Sequence, residues 1–422
     1  MAIKNSQREI LVYAHWQEFD NPILMGCLRA TPVRGKEIFS FEYNKDWLTK
    51  KQAQVLDPDL QLYSGQQYLT DNKSNFGIFL DSSPDRWGRV LMRRRETALA
   101  RKEKRKSTDL YETDYLMGVF DGHRMGGLRF KENEDGPFLN DNKELASPPW
   151  TSLRELEYAS LQLEREDIID DPDYLKWLNM LIVPGSSLGG ARPKASIIDT
   201  KGNLWIAKFP SRNDNRDIGA WEMVIQELAI KAKINMAEAQ VYTFNSQQHT
   251  FLTKRFDRTK KGKRIHFASA MTMLGYNDGT DYHDGVSYLE LAEFIIRHCA
   301  KVEEDLEQLW RRIVFSICVT NTDDHLRNHG FLLTEEGWRL SPAYDINPIE
   351  TGTGLKLNIS DNDNSLDLNL AIEVAKYFRI DNAKANQIIK IIVNSVADWK
   401  KVATKYKISR TDQELMSKAF RV

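Results

Sequence analysis

The sequence is poor in cysteine. Its three cysteines, Cys27, Cys299 and Cys318, lie far apart in a chain of 422 residues. This spacing excludes the close ligand pairs of a typical zinc site and the even sets of a disulfide framework. No apolar run approaches the roughly 18 residues of a membrane span, and the opening MAIKNSQREI lacks the apolar segment of a signal peptide. We therefore expect a soluble protein of the reducing cytoplasm with no membrane partner.

A net charge of one sign is also absent. The chain has 59 Lys and Arg residues against 60 Asp and Glu residues, a net of −1 at pH 7, so global charge does not predict nucleic-acid binding. Positive charge is concentrated in residues 86–106, where ten Lys or Arg minus two Glu leaves +8. This basic segment is either a solvated helix face or a weak site for phosphates or an acidic partner.

The chain is long enough for two or three domains. Three β-rich stretches, REILVYAHW, PILMGCLRA and EIFSFEY, predict strands within residues 8–45. A helix is expected next, opened by residues 81–83 with Pro84 in its first turn. The polar stretch 131–150 carries Gly and Pro and few apolar residues, so it marks the end of a β-rich N-terminal domain.

Beyond that boundary, helices are predicted near residues 152–165 and 172–180. ASIID and NLWIAKF predict a hairpin, GAWEMVIQELAIKAKI has helical apolar spacing, and AQVYTF and TFLTKRF are typical of strands. From Tyr288 onward the pattern is mostly helical. The apolar residues expected on one face of its long helix are Leu306, Leu309, Trp310, Ile313 and Ile317. This order predicts an α+β fold with two lobes and an appended domain.

The segment NTDDHLRNHG, residues 321–330, follows that long helix. Asp323 precedes Asn328 by five positions, with Arg327 between them. Phosphoryl transfer uses such a set: a carboxylate that accepts the proton of a hydroxyl, an amide oxygen that binds Mg²⁺, and a cation near the phosphate charge. Alone, the spacing is equally typical of a polar loop at a helix end.

A short hairpin is predicted directly after this loop, formed by HGFLL, the turn TEEG and WRLSP. It delivers Asp345, 17 residues beyond Asn328. A carboxylate in that place is suited to be a second magnesium ligand. The alternative is an Asx-type turn beside Pro348.

Two further features lie upstream. In PGSSLGGARPK, residues 184–194, the glycines allow backbone N–H groups to surround phosphate oxygens, although the segment could be a plain Gly-rich connection. Lys208 lies on an apolar strand and needs a partner there, unless it merely extends to solvent from an edge strand. Glu222 on the following helix is the expected partner, as in protein kinases.

The order of these features resembles the HipA family, the serine/threonine-kinase toxins of bacterial type II toxin–antitoxin systems. SSLGGARPKA and NTDDHLRNH carry the resemblance most specifically, and FEYNKDWL and SPDRWGR are similar to the N-terminal region of that family. The resemblance implies a protein-kinase-like, two-lobed fold. The implied domains are 1–130, an N-terminal HipA-type β-rich domain; 150–260, a kinase-like N-lobe with the Gly-rich loop; and 261–422, a helical C-lobe with the catalytic loop.

The resemblance also implies roles for individual residues. Asp323 would be the catalytic base, Asn328 and Asp345 the magnesium ligands, and Lys208 the phosphate-binding lysine. Ser187 would be the site of an inactivating autophosphorylation. The other residues implied to bind ATP are Gly189, Gly190, Lys254 and Phe256. Many family members carry Gly at the position of Asp324, so Asp324→Gly is expected to be tolerated.

The implied partners are a HipB-like helix-turn-helix antitoxin, which would link the chain to DNA, and a protein substrate such as an aminoacyl-tRNA synthetase. Two other interpretations remain. A small-molecule phosphotransferase of the aminoglycoside or choline kinase type usually has His-x-Asp in its catalytic loop, whereas Thr-Asn-Thr precedes Asp323 here. A catalytically silent, DNA-associated repressor partner would use the basic segment but would not need Asp323, Asn328, Asp345 and Lys208 together.

Overall fold

The computed structural model describes residues 7–69, 73–139, 148–165, 168–182 and 192–422. Within these ranges the strands are β1 Arg8–Ala14, β2 Ile23–Val33, β3 Lys36–Tyr43, β4 Gln66–Tyr68, β5 Leu128–Lys131, β6 Lys194–Ile198, β7 Leu204–Lys208, β8 Ala239–Tyr242, β9 Thr250–Lys254, β10 His266–Ser269, β11 Gly330–Thr334 and β12 Gly337–Leu340. The helices are α1 Lys45–Leu48, α2 Gly77–Asp81, α3 Arg86–Lys102, α4 Glu112–Met117, α5 Leu153–Leu163, α6 Tyr174–Leu181, α7 Ile218–Lys231, α8 Ala270–Met273, α9 Tyr288–His298, α10 Val302–Val319, α11 Leu368–Val374, α12 Asn382–Ala397, α13 Trp399–Lys405 and α14 Arg410–Met416.

The chain forms two compact units. The first unit comprises Met1–Ile206 and Asp257–Asn277, and the second comprises Ala207–Phe256 and Asp278–Val422. The division falls inside β7 and shortly after β9, so the chain passes between the units three times. This grouping by compactness does not test the three domains expected from the sequence, whose limits stay a prediction.

The first unit contains a five-stranded sheet in the order β4-β3-β2-β1-β5. Its neighbouring strands are antiparallel. Along β1 every second side chain is buried, namely Ile10, Val12 and Ala14, because successive side chains of a strand point to opposite faces of the sheet. The three strands predicted for residues 8–45 are therefore confirmed, and they form the centre of this sheet.

The predicted start of the long basic helix is wrong. Helix α2 ends at residue 81, and the two serines that follow donate their hydroxyls back to backbone carbonyls of α2. Helix α3 begins later, with Asp85 as its N-cap accepting from the backbone N–H of Gly88 at 2.9 Å. The other carboxylate oxygen of Asp85 accepts from Lys194 Nζ at 2.7 Å, and both side chains are buried. The cap thus also anchors the start of β6.

Much of the basic segment is engaged within the first unit. Arg89 forms a two-pronged ion pair with Glu112, at 2.6 and 2.7 Å. Arg94 donates to the backbone carbonyl of Leu163 at 2.8 Å. These arginines therefore join α3 to its neighbours rather than forming a purely solvated face, and nucleic-acid binding by the segment stays untested.

The second unit is mostly helical around α10. The five apolar residues predicted on one face of that helix are each at most 1% exposed, so the predicted face is confirmed. Strand β9 pairs antiparallel with β8, and β11 pairs antiparallel with β12 from Phe331↔Leu340 to Thr334↔Gly337. The hairpin expected after the NTDDHLRNHG segment is therefore present. Among the described residues, no helix is both long and apolar enough to cross a membrane.

Candidate functional site

The loop that follows α10 begins with a sharp change of direction. Thr320, the C-cap of α10, has a left-handed backbone with φ 52°, which ends the helix. The Thr320 hydroxyl donates to the backbone carbonyl of Ala419 at 2.8 Å, and Asn321 Oδ1 accepts from the backbone N–H of Asn347 at 3.1 Å. The loop is thus attached at its first residues to two distant parts of the second unit.

Asp323 and Asn328 face different environments. Asp323 is exposed, while its backbone carbonyl accepts from Asn328 Nδ2 at 3.0 Å. Asn328 is buried, and its Oδ1 has no hydrogen-bond partner among the described residues. A buried amide oxygen without a donor is unfavourable by itself and is the kind of atom that a hard cation binds. The loop therefore presents an accessible carboxylate and an available amide oxygen.

The hairpin brings Asp345 to the same loop. Tyr344 Oη donates to the backbone carbonyl of Arg327 at 2.8 Å, which ties the exit of the hairpin to the loop. Asp345 has φ 57°, a left-handed conformation that non-glycine residues adopt at a cost. Such strained residues cluster at functional sites, so the conformation of Asp345 supports a functional role for its carboxylate.

Lys208 forms ion pairs with two carboxylates of the site. Its Nζ lies 2.5 Å from Glu222 Oε1 and 2.7 Å from Asp345 Oδ1, and Lys208 is 8% exposed. Burial alone would lower the pKa of Lys208, but the charges of Asp345 and Glu222 raise it above the ordinary lysine value. Lys208 therefore stays protonated, and the alternative in which it extends to solvent does not hold.

The remaining predicted nucleotide-binding residues are placed differently. Lys254 ends β9, with its Nζ 3.3 Å from Glu238 Oε2, and the Phe256 ring lies 5.6 Å from the Tyr344 ring. A role of Lys254 or Phe256 in binding adenine stays a prediction. The other residues predicted to bind nucleotide, which lie outside the described residues, are Ser187, Gly189 and Gly190.

Arg327, expected near the transferred phosphate, is paired within the second unit. Its Nη1 lies 3.3 Å from Asp278 Oδ2. A second cation, Lys356, lies 2.8 Å from Asp281, and its pKa is raised by that contact with a smaller contribution from the charge of Asp323. Lys356 lies beyond the hairpin and carries no motif of its own, so the sequence did not indicate it.

The residue chemistry fits a magnesium ion. Mg²⁺ prefers oxygen ligands and is commonly held by one or two protein groups together with nucleotide phosphates. Asn328 supplies an amide oxygen without a donor, and Asp345 supplies a carboxylate on the adjoining segment. Lys208 and Asn347 already contact Asp345 Oδ1, at 2.7 and 3.3 Å, so a cation bound to that oxygen would compete with these two donors.

Asp324 is the member of the loop whose place the sequence did not indicate. Its carboxylate is buried, with Oδ2 accepting from Tyr288 Oη at 2.6 Å and Oδ1 lying 3.1 Å from His329 Nε2. Burial by itself would raise the pKa of Asp324, but His329 and Tyr288 lower it below the ordinary aspartate value. Tyr288 precedes the loop by 36 residues, and no local pattern links the two positions.

A protein family and several known proteins are similar to this chain. A protein-family model described as the HipA-like C-terminal domain matches residues 186–400, which is 215 of the 422 residues. This chain is 26% identical over 180 residues to a provisionally named kinase from Haemophilus influenzae; the match covers 38% of this chain and 52% of that protein. Over 181 residues, also 38% of this chain, it is 24% identical to another provisionally named kinase, Y4mE from Sinorhizobium fredii, covering 41% of it. The chain thus spans about half the length or less of these curated relatives.

The fold is similar to that of a chain in the solved complex of HipA, HipB and operator DNA from the toxin–antitoxin system of Shewanella oneidensis MR-1. The TM-score is 0.61 at 17% sequence identity, covering 97% of this chain and 94% of that chain. At this identity the similarity concerns the fold alone. The predicted fold class, α+β and protein-kinase-like with a β-rich N-terminal part and a mostly helical C-terminal part, is confirmed.

Replacing Lys208 by Met should lower the free energy of unfolding by about 3–5 kcal/mol, because two carboxylates lose their cation in a buried site. Lys254→Met is the matched control, since the Lys254 side chain is 33% exposed and its contact with Glu238 is longer, at 3.3 Å; its loss should cost about 0–1 kcal/mol. Urea denaturation of the full chain measures both. Equal effects of the two substitutions would contradict the buried ion pairs of Lys208.

Proposed function

This chain belongs to the HipA family, and from that premise we propose that it is an ATP- and Mg²⁺-dependent protein serine/threonine kinase, the toxin of a HipA/HipB-like toxin–antitoxin system. The observation that carries the proposal is the position of Lys208, buried between Glu222 and Asp345. Protein kinases use a strand lysine, a helix glutamate and a metal-binding aspartate in this combination. The provisional names of the two curated relatives support the kinase class.

In the proposed reaction, the hydroxyl oxygen of a serine or threonine attacks the γ-phosphorus of ATP. The new oxygen–phosphorus bond forms as the bond to the β-phosphate oxygen breaks, and ADP leaves. Asp323 accepts the hydroxyl proton, and its exposure makes it accessible to a side chain of another protein. Lys208 holds the nucleotide phosphates by its positive charge.

Asn328 and Asp345 are the proposed ligands of Mg²⁺. When bound, the ion would neutralise negative charge on the β- and γ-phosphate oxygens. The amide oxygen of Asn328, which has no donor among the described residues, supports this assignment. Lys208 contacts Asp345 directly. When nucleotide binds, Lys208 would instead pair with the phosphates, and Asp345 would pair with the ion.

Two kinds of partner are proposed for the chain, an antitoxin and a protein substrate. A HipB-like helix-turn-helix antitoxin is proposed from the assembly named for the Shewanella HipA chain, and contact with DNA would then be indirect or limited to the basic segment of residues 86–106. The proposed substrate class is an enzyme of translation, such as an aminoacyl-tRNA synthetase, phosphorylated in the cytoplasm. Its modification would stop growth.

Substituting Asp323→Asn, Asn328→Ala or Asp345→Asn should reduce phosphate transfer by about 100-fold or more, because a general base or a metal ligand has no substitute in the site. Purified protein is incubated with labelled ATP and Mg²⁺, and intact mass is measured before and after. The matched control is Asp361→Asn, on an exposed loop of the second unit, which should retain wild-type transfer.

Near-wild-type transfer in any of the three variants would remove that residue from the mechanism. A wild-type chain that phosphorylates small hydroxyl compounds and no protein would favour a small-molecule phosphotransferase instead. A chain that binds ATP without transferring phosphate under any of these conditions would contradict the kinase proposal.

We expect one phosphate on Ser187 after incubation with ATP and Mg²⁺, together with loss of kinase activity. A phosphoserine adds about −1.5 to −2 charge and three acceptor oxygens, which would compete with ATP phosphates for the same backbone donors. Peptide mapping locates the phosphate, and nucleotide binding is measured on the modified protein. A phosphate on Ser186 alone, or normal ATP binding by the Ser187 phosphoprotein, would defeat this mechanism.

Expression of the chain in bacteria without its antitoxin should stop growth, because the unopposed kinase would inactivate its target. Asp323→Asn should remove this effect while leaving the expressed amount unchanged. Colony counts and culture density after induction provide the measurement. If wild type and variant are equally harmless, the toxin role fails even where transfer in vitro is observed.

A further inference from the structure

Asp323 and Asp324 are neighbours in sequence with opposite surroundings. Asp323 is exposed, and Asp324 is 4% exposed. The Asp324 carboxylate meets two partners from different places: the hydroxyl of Tyr288, the first residue of α9, and the ring of His329, the residue after Asn328. One carboxylate therefore connects the start of the catalytic loop, the end of that loop and a helix outside it.

Both partners are themselves held firmly. Tyr288 is fully buried, and its backbone N–H donates to the carbonyl of Asn358 at 2.9 Å. The His329 ring is also buried and stands edge-on to the Tyr288 ring, with 5.8 Å between centroids and an angle of 90°. Aromatic groups packed in this way have few alternative rotamers, so the oxygen atoms of Asp324 have fixed positions to occupy.

The charge of Asp324 has a counterpart in the core. Arg312 of α10 is buried and donates to the backbone carbonyl of Ser341 at 2.5 Å. Burial lowers the pKa of Arg312 to about 10, and the negative charge of Asp324 opposes that effect. A buried carboxylate is tolerated when it is hydrogen-bonded, and Asp324 accepts the Tyr288 hydroxyl at 2.6 Å.

The proposed catalytic groups depend on the conformation of the loop for their orientation. The loop contacts of Asp323 are made through its backbone carbonyl, which accepts from Asn328 Nδ2 and from the backbone N–H of His325, each at 3.0 Å. The direction of the Asp323 side chain and the place of Asn328 therefore follow from the conformation of the loop. Displacement of a reacting group by about 1 Å can reduce a rate by about 100-fold.

We propose that Asp324 is a positioning residue: its buried carboxylate, held by Tyr288 and His329, fixes the loop so that Asp323 and Asn328 keep the orientation required for phosphate transfer. The inference rests on the proposed kinase function for its effect on rate, but not for its effect on the loop. It also revises the expectation that Asp324→Gly is tolerated. Glycine would leave the Tyr288 hydroxyl without its acceptor, would remove the carboxylate that lies beside the His329 ring, and would add backbone freedom.

The test compares Asp324→Asn and Tyr288→Phe with wild type. Each removes one polar function and almost no volume. We expect kcat to fall by about 10–100-fold in both, as for groups that orient metal or catalytic residues, while KM for ATP changes little because Lys208 is untouched. The concentration of Mg²⁺ needed for half-maximal rate should rise, since Asn328 is displaced.

A matched control separates positioning from stability. Asp305 is also a buried carboxylate of the second unit, accepting from Arg339 Nε at 3.0 Å and from the backbone N–H of Leu340 at 3.1 Å. Asp305→Asn should lower stability without changing kcat of the folded protein. If kcat falls in the Asp324 and Tyr288 variants only as far as their folded fraction falls, the positioning role is overturned.

Hydrogen exchange gives a readout that does not require activity. Backbone amides of residues 321–330 should exchange faster in Asp324→Asn and in Tyr288→Phe, whereas Asp305→Asn should leave them unchanged. Should Asp324→Asn fail to fold, Tyr288→Phe decides the question. Wild-type exchange in the loop of Tyr288→Phe would overturn the inference. A wild-type chain that transfers no phosphate would overturn the kinase proposal alone, because the exchange result still tests whether Asp324 and Tyr288 hold the loop in place.

Discussion

The second unit depends on the ammonium group of Lys208. This one cation collects a carboxylate from α7, Glu222, and a carboxylate from the segment after the β11–β12 hairpin, Asp345. Neither Lys208 nor Glu222 would be stable as an unpaired charge at this depth, because an unpaired buried ion loses its hydration without compensation. The ion pairs therefore define the relative places of a strand, a helix and a hairpin exit. A polyanionic ligand that displaced the carboxylates from Lys208 would leave those carboxylates without their cation, so its binding at this site would require a second cation.

Around this cation the backbone is held in conformations that it would not adopt by itself. Thr320 and Asp345 both have left-handed φ values, 52° and 57°; Thr320 is the C-cap of α10, and Asp345 lies in the irregular segment after β12. The surrounding structure compensates: the chain end accepts the Thr320 hydroxyl, and Arg421 donates its backbone N–H to the carbonyl of Cys318 at 2.8 Å. Strain of about 1–3 kcal/mol per residue persists only where packing determines it. Ala419 and Arg421 thus help to fix the point where α10 gives way to the loop of residues 321–330.

Sequence patterns predicted well the parts of the structure that depend on local periodicity. The strands of residues 8–45 and the buried face of α10 follow from alternation and from helical spacing. The Lys208–Glu222 contact was also predictable, because an apolar strand cannot carry a lysine without an anion nearby. The start of α3 was not, since Asp85 is selected as the cap partly by Lys194, 109 residues away. The Asp324–Tyr288 contact was missed for the same reason: its partners meet only after α9 and the loop have packed. The roles of Asp323, Asn328 and Asp345 follow from the resemblance and stay a prediction.

Neighbouring residues with opposite surroundings recur in the second unit, and they explain how one short segment can serve both packing and chemistry. On α7, Glu222 reaches Lys208, whereas the preceding residue, Trp221, packs against Trp399 and Phe420, at 6.2 and 6.0 Å between ring centroids. Adjacent side chains of a helix lie about 100° apart, so the aromatic cluster fixes the rotation of α7 and thereby aims Glu222. In the loop of residues 321–330, the buried Asp324 packs against α9 while its neighbour Asp323 is exposed. The hydrogen bond of Asp324 to Tyr288 therefore attaches to the packed interior a segment whose neighbouring carboxylate, Asp323, stays exposed to solvent.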